Sequence, residues 1–251
     1  MARGEGGYIG STPTWPADGE PLRRVPGVWR LNEAYAREKR DAWTAFLPPI
    51  GSAFEGGFFA GLISHTANGV PTHALIVAPR ATGATGTGYT LTTNLQWKTS
   101  QTTTTGTTSD FDGAANTAAM VTAGIADHPA AQFCVNLTIN GFSDWYLPAR
   151  YELDIAYHNL KPTTTNNSTS WGINPYSVPE RTVNRTAGDP GQTSVAAFQS
   201  GGGEDFVAGG HWSSTEDSAT NAWVLSFSNG GQGQSSKTGT GPVRAFRKLA
   251  L

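Results

Sequence analysis

The segment ARYELDIAYHNL, residues 149–160, carries the clearest helical pattern in this chain. Four of its apolar residues follow the i, i+3, i+4, i+7 spacing of one helix face: Leu153, Ala156, Tyr157 and Leu160. The hydrophobic fraction of the chain is only 37%, and glycine, threonine, serine and asparagine fill much of the rest. That mixture favours turns and short strands, so the sequence predicts an α+β fold with few long helices.

A second helix is predicted after Asp112, a plausible N-cap, through an alanine-rich segment ending at Gly124. GGFFAGLIS and THALIVAP read as strands joined by HTANGVPTH, and short strands are expected at 89–91 and 95–97. Three further strands are predicted near the end of the sequence: GHWSSTE, the alternating AWVLSFS and the final VRAFRKL. Residues 229–242, NGGQGQSSKTGTGP, are predicted to form a flexible polar loop. Residues 161–191 are predicted to form a long insertion, which its own aromatic residues Trp171 and Tyr176 would hold in place.

Charge and composition exclude several classes of partner. The formal net charge is −2 without a basic run, so nucleic acid is not an expected partner. The first residues, MARGEGGYIGSTPTWPADGEP, contain no apolar core of a signal peptide, and no run of about 18 apolar residues predicts membrane insertion. Cys134 is the only cysteine, which rules out an internal disulfide and favours synthesis in a reducing compartment.

Paired carboxylates are the main candidates for chemistry. Glu204 and Asp205 could form the acid–base pair of a glycoside hydrolase, although adjacent residues in a glycine-rich loop are more often solvated. Two other pairs offer oxygen ligands for calcium without a ligand-loop pattern: Asp110 with Asp112, and Glu216 with Asp217. Calcium binding is therefore left open, and no metal ligand is assigned.

The histidines and the cysteine form no catalytic signature. His65 and His73 flank one predicted hairpin, where an ordinary cross-strand contact is favoured over a metal site. Asp127 and His128 lie at a predicted turn, where a cap or turn hydrogen bond explains them as well as catalysis would. Cys134 is favoured as a small buried apolar residue. The chain lacks a G-x-S-x-G motif. No catalytic residue and no cofactor are assigned, and the chain is not expected to be an enzyme.

Four blocks in order carry a resemblance: GFSDWYLPARYEL, HWSSTE, AWVLSFSNGG and VRAFRK. Together they resemble the C-terminal domain of bacterial Lcl-type collagen-like adhesins, which also occurs in phage tail proteins and in variable proteins diversified by retroelements. That domain is similar in fold to C-type lectins and formylglycine-generating enzymes. The resemblance spans roughly Gly51 to Leu251. It implies a C-type-lectin-like domain over residues 50–251, with two helices flanking a twisted antiparallel sheet. Cys134 lies outside the four blocks, so the enzymatic activity does not carry over.

The resemblance also implies roles for single residues. It assigns three tryptophans to the scaffold: Trp145, Trp212 and Trp223. It assigns the ligand surface to loops among the last strands, against the alternative of merely solvated polar residues: Asp217, Ser218, Thr220, Asn221, Gln232, Gln234, Ser235, Lys237 and Thr238. Asp144 and Arg150 are expected to brace the turn into the helix. Ala149 stands where relatives often have a capping Ser or Thr, so Glu152 lacks a capping-box partner and the helix start is expected to depend on packing.

Residues 1–49 read as an extended N-terminal arm. Its PGVWRLNEAYAREKRDAW segment resembles a short segment of phage virion and tail-fibre proteins. Trp29, Tyr35 and Trp43 need burial, against another chain or the main domain, and the alternative is a solvated leader with a frayed helix. The resulting hypothesis is a virion protein of a tail fibre or tail tip, made in the host cytoplasm. Its arm would dock on other virion proteins, its domain would bind a host-surface glycan or protein, and a homotrimer is favoured. The alternatives are a capsid or tail decoration protein that contacts only virion proteins, and a glycan-degrading enzyme.

Overall fold

The structure is a computed structural model that describes residues 47–251, which form one unit from Pro48 onward. The predictions for the arm, including Trp29, Tyr35 and Trp43, lie outside the described residues. The described part is α+β with a curled antiparallel sheet and few helices, as the composition predicts. No helix within it is long and apolar enough to cross a membrane.

Residues 47–251 contain four α-helices, which include both predicted ones: α1 (Arg80–Gly83), α2 (Gly113–Gly124), α3 (Pro129–Val135) and α4 (Arg150–Leu160). Asp112 caps α2, because its Oδ1 accepts a hydrogen bond from the Ala115 amide at 3.0 Å. Cys134 is buried in α3, as expected, where its thiol donates to the Ala130 carbonyl. Short 3₁₀ turns lie at Ile125–Asp127 and Ala196–Phe198.

The main sheet contains five antiparallel strands: β1 (Ala53–Phe54), β2 (Gly57–Ile63), β3 (His73–Val77), β6 (Ser177–Val178) and β12 (Phe246–Ala250). The order is β1-β2-β3-β12, and β6 also pairs with β2. The register of β2 shifts between Phe59 and Gly61. Gly61 has φ +140, and a Cβ there would lie 2.5 Å from the Asn159 amide nitrogen, so glycine allows α4 to approach the strand.

A second sheet has the order β7 (Gly210–Glu216), β8 (Asn221–Ser226) and β9 (Gln232–Ser236). The prediction of a flexible loop at 229–242 is therefore wrong, since residues 232–236 pair with β8 along their whole length. The sequence QGQSS carries no apolar alternation because its buried residue, Gln232, contacts charged side chains of α4 instead of an apolar core. A polar strand of this kind gives no hydrophobic signal.

Two short ladders link the sheets: β4 (Ala84–Thr85) pairs with β11 (Val243–Arg244), and β5 (Leu95–Gln96) pairs with β10 (Thr240–Gly241). The expected strand at 89–91 is wrong, since only Leu91 forms an isolated bridge, to Thr85. Aromatic residues of the long insertion contact the rest of the domain, as predicted. Tyr176 stacks on Phe111 at 4.2 Å, and Trp171 packs edge-on against Trp223 at 6.0 Å.

Two apolar clusters form the core. One lies between the main sheet and α4, and contains Leu153, Tyr157 and Phe227. The other contains Trp97, Trp145 and Trp212, packed near α2 and α3. The second sheet contributes to both clusters, which fixes its position relative to α4.

Both carboxylates in the first turns of α4 are fully buried. Glu152 Oε2 accepts hydrogen bonds from the Ala149 amide at 2.7 Å and the Gly113 amide at 3.2 Å, while Tyr146 donates its hydroxyl to Oε1 at 2.9 Å. Ala149 supplies no side-chain cap, as expected, but the helix start does not depend on packing alone. A single carboxylate ties the first turn of α4 to that of α2.

Replacing Glu152 by Gln is expected to remove a pH dependence of stability. Burial raises the pKa of Glu152 from 4.5 to about 7. The unfolded carboxyl releases its proton first, so this group's contribution to folding is complete below about pH 4.5 and is lost as the pH rises to about 7. We expect wild type to lose about 3 kcal/mol relative to E152Q over that interval. Urea unfolding at about pH 4 and about pH 8 measures the difference; an equal pH response in both proteins contradicts it.

Asp144 is not a brace of the turn into α4. Its carboxylate binds the Arg247 guanidinium of β12 with distances of 2.8 and 3.0 Å, and Arg247 also lies 3.9 Å from the centroid of Phe142. Asp144 and Arg247 are far apart in the chain, so only the folded structure brings them together.

Candidate ligand-binding surface

Three polar segments meet at one end of the second sheet, and we call them the polar rim: residues 99–105, 217–220 and 235–238. The Lys237 amide donates to the Thr220 carbonyl at 2.9 Å, and the Gln101 side chain donates to Ser236 Oγ at 3.0 Å. The structure thus brings together the two loops assigned from the sequence. It adds a threonine-rich segment that sequence analysis missed, in which most side chains are exposed: Thr99, Ser100, Gln101, Thr102, Thr103 and Thr105.

A buried ion pair supports the rim from below. Lys237 Nζ lies 3.0 Å from Glu216 Oε1, and both side chains are almost completely buried. The other carboxylate oxygen of Glu216 accepts from the Thr104 amide and the Thr107 hydroxyl, each at 2.8 Å. Lys237 also donates to the Thr102 carbonyl at 3.0 Å and lies 4.8 Å from the ring centroid of Trp97. Burial lowers the pKa of Lys237, and the pairing with Glu216 opposes that shift.

Lys98 and His128 complete the support. Lys98 Nζ donates to the carbonyls of Thr102 and Thr103 and to Thr104 Oγ1, at 2.9 to 3.2 Å. His128 Nδ1 lies 2.9 Å from the Gly124 carbonyl, which assigns the proton to Nδ1 and leaves Nε2 to accept from Thr104 Oγ1. Burial lowers the pKa of His128, in keeping with this neutral form. The backbone of residues 102–104 is therefore held by charged groups that face inward.

Two residues predicted to bind ligand from exposed loops face inward instead. Lys237 is fully buried in its ion pair, and Gln232 is buried between Arg150 and Asp154. Polar residues were assigned to solvent because sequence patterns do not reveal a buried ionic partner. The exposed members of the predicted set are Asp217, Thr220 and Gln234, and the partly exposed members are Ser218, Asn221, Ser235 and Thr238.

Next to the rim lies an arginine–tryptophan cluster formed by Arg150, Trp171 and Trp223. The Arg150 guanidinium carbon lies 3.8 Å from the ring centroid of Trp223 and 5.4 Å from that of Trp171. Arg150 NH1 is 3.7 Å from Asp110, whose side chain is 37% exposed. Burial raises the pKa of Asp110, and the nearby Arg150 opposes that shift.

The three tryptophans assigned to the scaffold occupy different environments. Trp145 and Trp212 are each 2% exposed and belong to the core. Trp223 is only partly buried and belongs to neither core cluster. Sequence analysis did not assign Trp171 to the ligand surface. The signal that could have indicated this role is a lone tryptophan in a polar insertion.

The rim and the cluster form one continuous face. In the β8–β9 ladder Asn221 pairs with Ser236, and Trp223 pairs with Gln234. Residues two apart on a strand lie on the same side of a sheet, about 7 Å from each other. The hydroxyl and amide groups at the strand ends therefore continue into the tryptophan rings, and we call this whole face the candidate surface.

The carboxylate pairs considered for catalysis or calcium serve other contacts. Glu204 Oε2 accepts from the Arg80 amide at 2.7 Å and from Arg244 at 2.9 Å, while Asp205 pairs with the Arg80 side chain. Glu216 points inward, whereas Asp217 is exposed. Within residues 47–251, no group of three or more His, Cys, Asp or Glu residues is arranged to hold a metal ion.

Asp110 and Asp112 also have separate partners. Asp110 lies beside Arg150, and Asp112 caps α2 and binds Lys248 at 2.7 Å. His65 and His73 do meet, as predicted, with ring centroids 4.3 Å apart. Burial lowers the pKa of His65 to about 4, so this imidazole is neutral at neutral pH, and burial also lowers the pKa of His73.

These features define an α+β domain that presents a polar face on a buried ionic support. Residues 86–247 match the family model of the Lcl C-terminal domain, and the chain therefore belongs to that family. The family predicted from the four sequence blocks is confirmed, and the matched region contains both the rim and the cluster. No curated protein sequence matches the chain at a significant level.

Proposed function

We propose that this chain is a receptor-binding protein of a phage tail fibre or tail tip, and that its domain is C-type-lectin-like and attaches to the host surface. The observation that carries the proposal is the candidate surface, where exposed hydroxyl and amide groups adjoin partly exposed tryptophan rings. The resemblance of the N-terminal segment to phage proteins supports the virion context. The arm would dock on other virion proteins, and a homotrimer fits a fibre.

The buried lysines beneath the rim favour a ligand-binding role over a surface of merely solvated polar residues. Residues 102–104 are held by Lys98 and Lys237, so the rim loses little conformational entropy when a ligand binds. Tryptophan rings provide apolar faces for the C–H faces of sugars, and Gln234 beside Trp223 provides both a donor and an acceptor. This combination suits a glycan, or a protein loop with polar side chains.

Replacing Trp223 by Ala is expected to weaken binding of the full-length protein to host cells at least about tenfold, as is typical of an aromatic residue at the centre of a binding site. Gln234→Ala, at an exposed strand position, is expected to weaken binding about threefold to tenfold without affecting folding. Adsorption of fluorescently labelled protein to a panel of bacterial strains measures both.

The matched control is Val121→Ala, which shortens an apolar side chain on α2, outside the candidate surface, where residue 121 is 48% exposed. Circular dichroism verifies that each variant is folded. Unchanged adsorption by both surface variants would remove the receptor-binding role. It would favour a capsid or tail decoration protein that contacts only other virion proteins.

A further inference from the structure

The exposed charges of the described domain all have one sign. The exposed charged residues between 47 and 251 are carboxylates: Asp127, Asp144, Glu180, Asp189 and Asp217. Every lysine and arginine in the same range is buried or partly buried. Arg80, for example, has only 22% of its side chain exposed.

Most of these cations form ion pairs, which span both sheets and the long insertion: Arg80–Asp205, Arg181–Asp154, Arg185–Asp154, Lys237–Glu216, Arg244–Glu204 and Arg247–Asp144. The buried Lys98 and Lys161 donate to backbone carbonyls instead. Withdrawing a cation from a buried pair of this kind leaves a carboxylate without its partner in a poorly solvated site, which is strongly unfavourable. An anionic ligand would have to overcome that cost to recruit them.

The candidate surface likewise exposes carboxylates and no fully exposed lysine or arginine. Asp217 lies on the rim, and Asp127 borders it, because the Thr99 amide donates to the Asp127 carbonyl at 2.9 Å. At the cluster, Arg150 is 15% exposed and its guanidinium lies over Trp223 and beside Asp110. The other exposed groups of the rim are hydroxyls and amides. The surface is therefore acidic to neutral and rich in groups that pair with sugar hydroxyls.

We propose that the candidate surface binds a neutral glycan and discriminates against sialylated, sulfated and phosphorylated ones. The proposal rests on the receptor-binding function above and names its ligand class. Sugar hydroxyls donate to the carboxylate of Asp217 and exchange hydrogen bonds with Gln234 and the rim threonines, while neutral rings lie on the tryptophans. An anionic group would meet the negative charge of Asp217 at the rim. The two lysines beneath the rim already have partners, because Lys237 pairs with Glu216 and Lys98 donates to backbone carbonyls.

The test measures binding of the full-length protein to pairs of immobilised oligosaccharides. The two members of a pair differ only by a sialyl, sulfate or phosphate group. The neutral member of a pair is expected to bind at least about tenfold more tightly. Its affinity is expected to change less than about twofold between about 0.05 and about 0.5 M NaCl, since screening acts on charged contacts. Tighter binding of the anionic members, or a steep loss of neutral binding with salt, would overturn the proposal.

Charge reversal at the rim sharpens the test. Asp217→Lys is expected to increase binding of the anionic members at least about fivefold. Glu180→Lys is the matched control, because this exposed residue follows β6 at the main sheet, and it is expected to leave every glycan affinity unchanged.

The cell-adsorption result separates the two proposals. If no glycan binds while adsorption still depends on Trp223, the neutral-glycan assignment is wrong and a protein receptor is indicated. If adsorption is also insensitive to Trp223, the receptor-binding function itself is wrong.

Discussion

Replacing Asp154 by Ala is expected to destabilise the folded protein by about 3–5 kcal/mol. Asp154 is fully buried in α4 and forms ion pairs with Arg181 and Arg185 of the long insertion. It also accepts hydrogen bonds from Asn174 at 3.0 Å and from Gln232 at 3.2 Å. Removing this carboxylate leaves two guanidinium groups without their partner. Because domains of this size are stable by only about 5–15 kcal/mol, the loss is a large share of the total.

Urea unfolding followed by tryptophan fluorescence measures this effect. Asp154→Asn keeps the shape and some hydrogen bonds, so it is expected to give a smaller loss. Asp189→Ala removes an exposed carboxylate from the same insertion and is expected to change stability by less than about 0.5 kcal/mol. A loss below about 1 kcal/mol for D154A would show that the insertion is held by its aromatic contacts rather than by the ion pairs.

Replacing Lys237 by Met is expected to cost about 3–5 kcal/mol and to weaken cell binding about tenfold or more. The substitution keeps an apolar side chain of similar length over Trp97 but leaves the buried Glu216 carboxylate without its cation. It also removes the donor to the Thr102 carbonyl, which holds the rim. Binding falls in this case because the loops lose their fixed geometry, although Lys237 itself does not face the ligand.

A double variant distinguishes this cause from a general packing defect. Glu216→Gln combined with Lys237→Met removes both charges and leaves the amide oxygen to accept from Thr104 and Thr107, so at least half of the lost stability is expected to return. Lys248→Met is the matched control, since its pair with Asp112 is partly exposed and is expected to contribute less than about 1 kcal/mol. A double variant as unstable as K237M alone would contradict the proposed role of the ion pair.

Strong periodicity made several elements predictable. Helix α4 has an apolar face that repeats every three to four residues, and β2, β3 and β8 have apolar runs bounded by turn residues, so local pattern was sufficient. β9 was missed because its residues are glutamine, glycine and serine, and its pairing depends on β8 rather than on its own composition. The aromatic contacts of the long insertion were anticipated because a polar segment of that length needs them.

The sequence by itself determined the fold class, the main helices and the family, since each depends on short-range spacing or on motifs in a fixed order. Only the tertiary structure decided which polar residues face the solvent. Lys237 and Gln232 look like loop residues but are buried, because their partners Glu216 and Asp154 come from other elements and offset the cost of removing polar groups from water. Long-range contacts of the same kind leave the lysines and arginines of residues 47–251 buried or partly buried, and the rim exposes mainly hydroxyl and amide groups with Asp217.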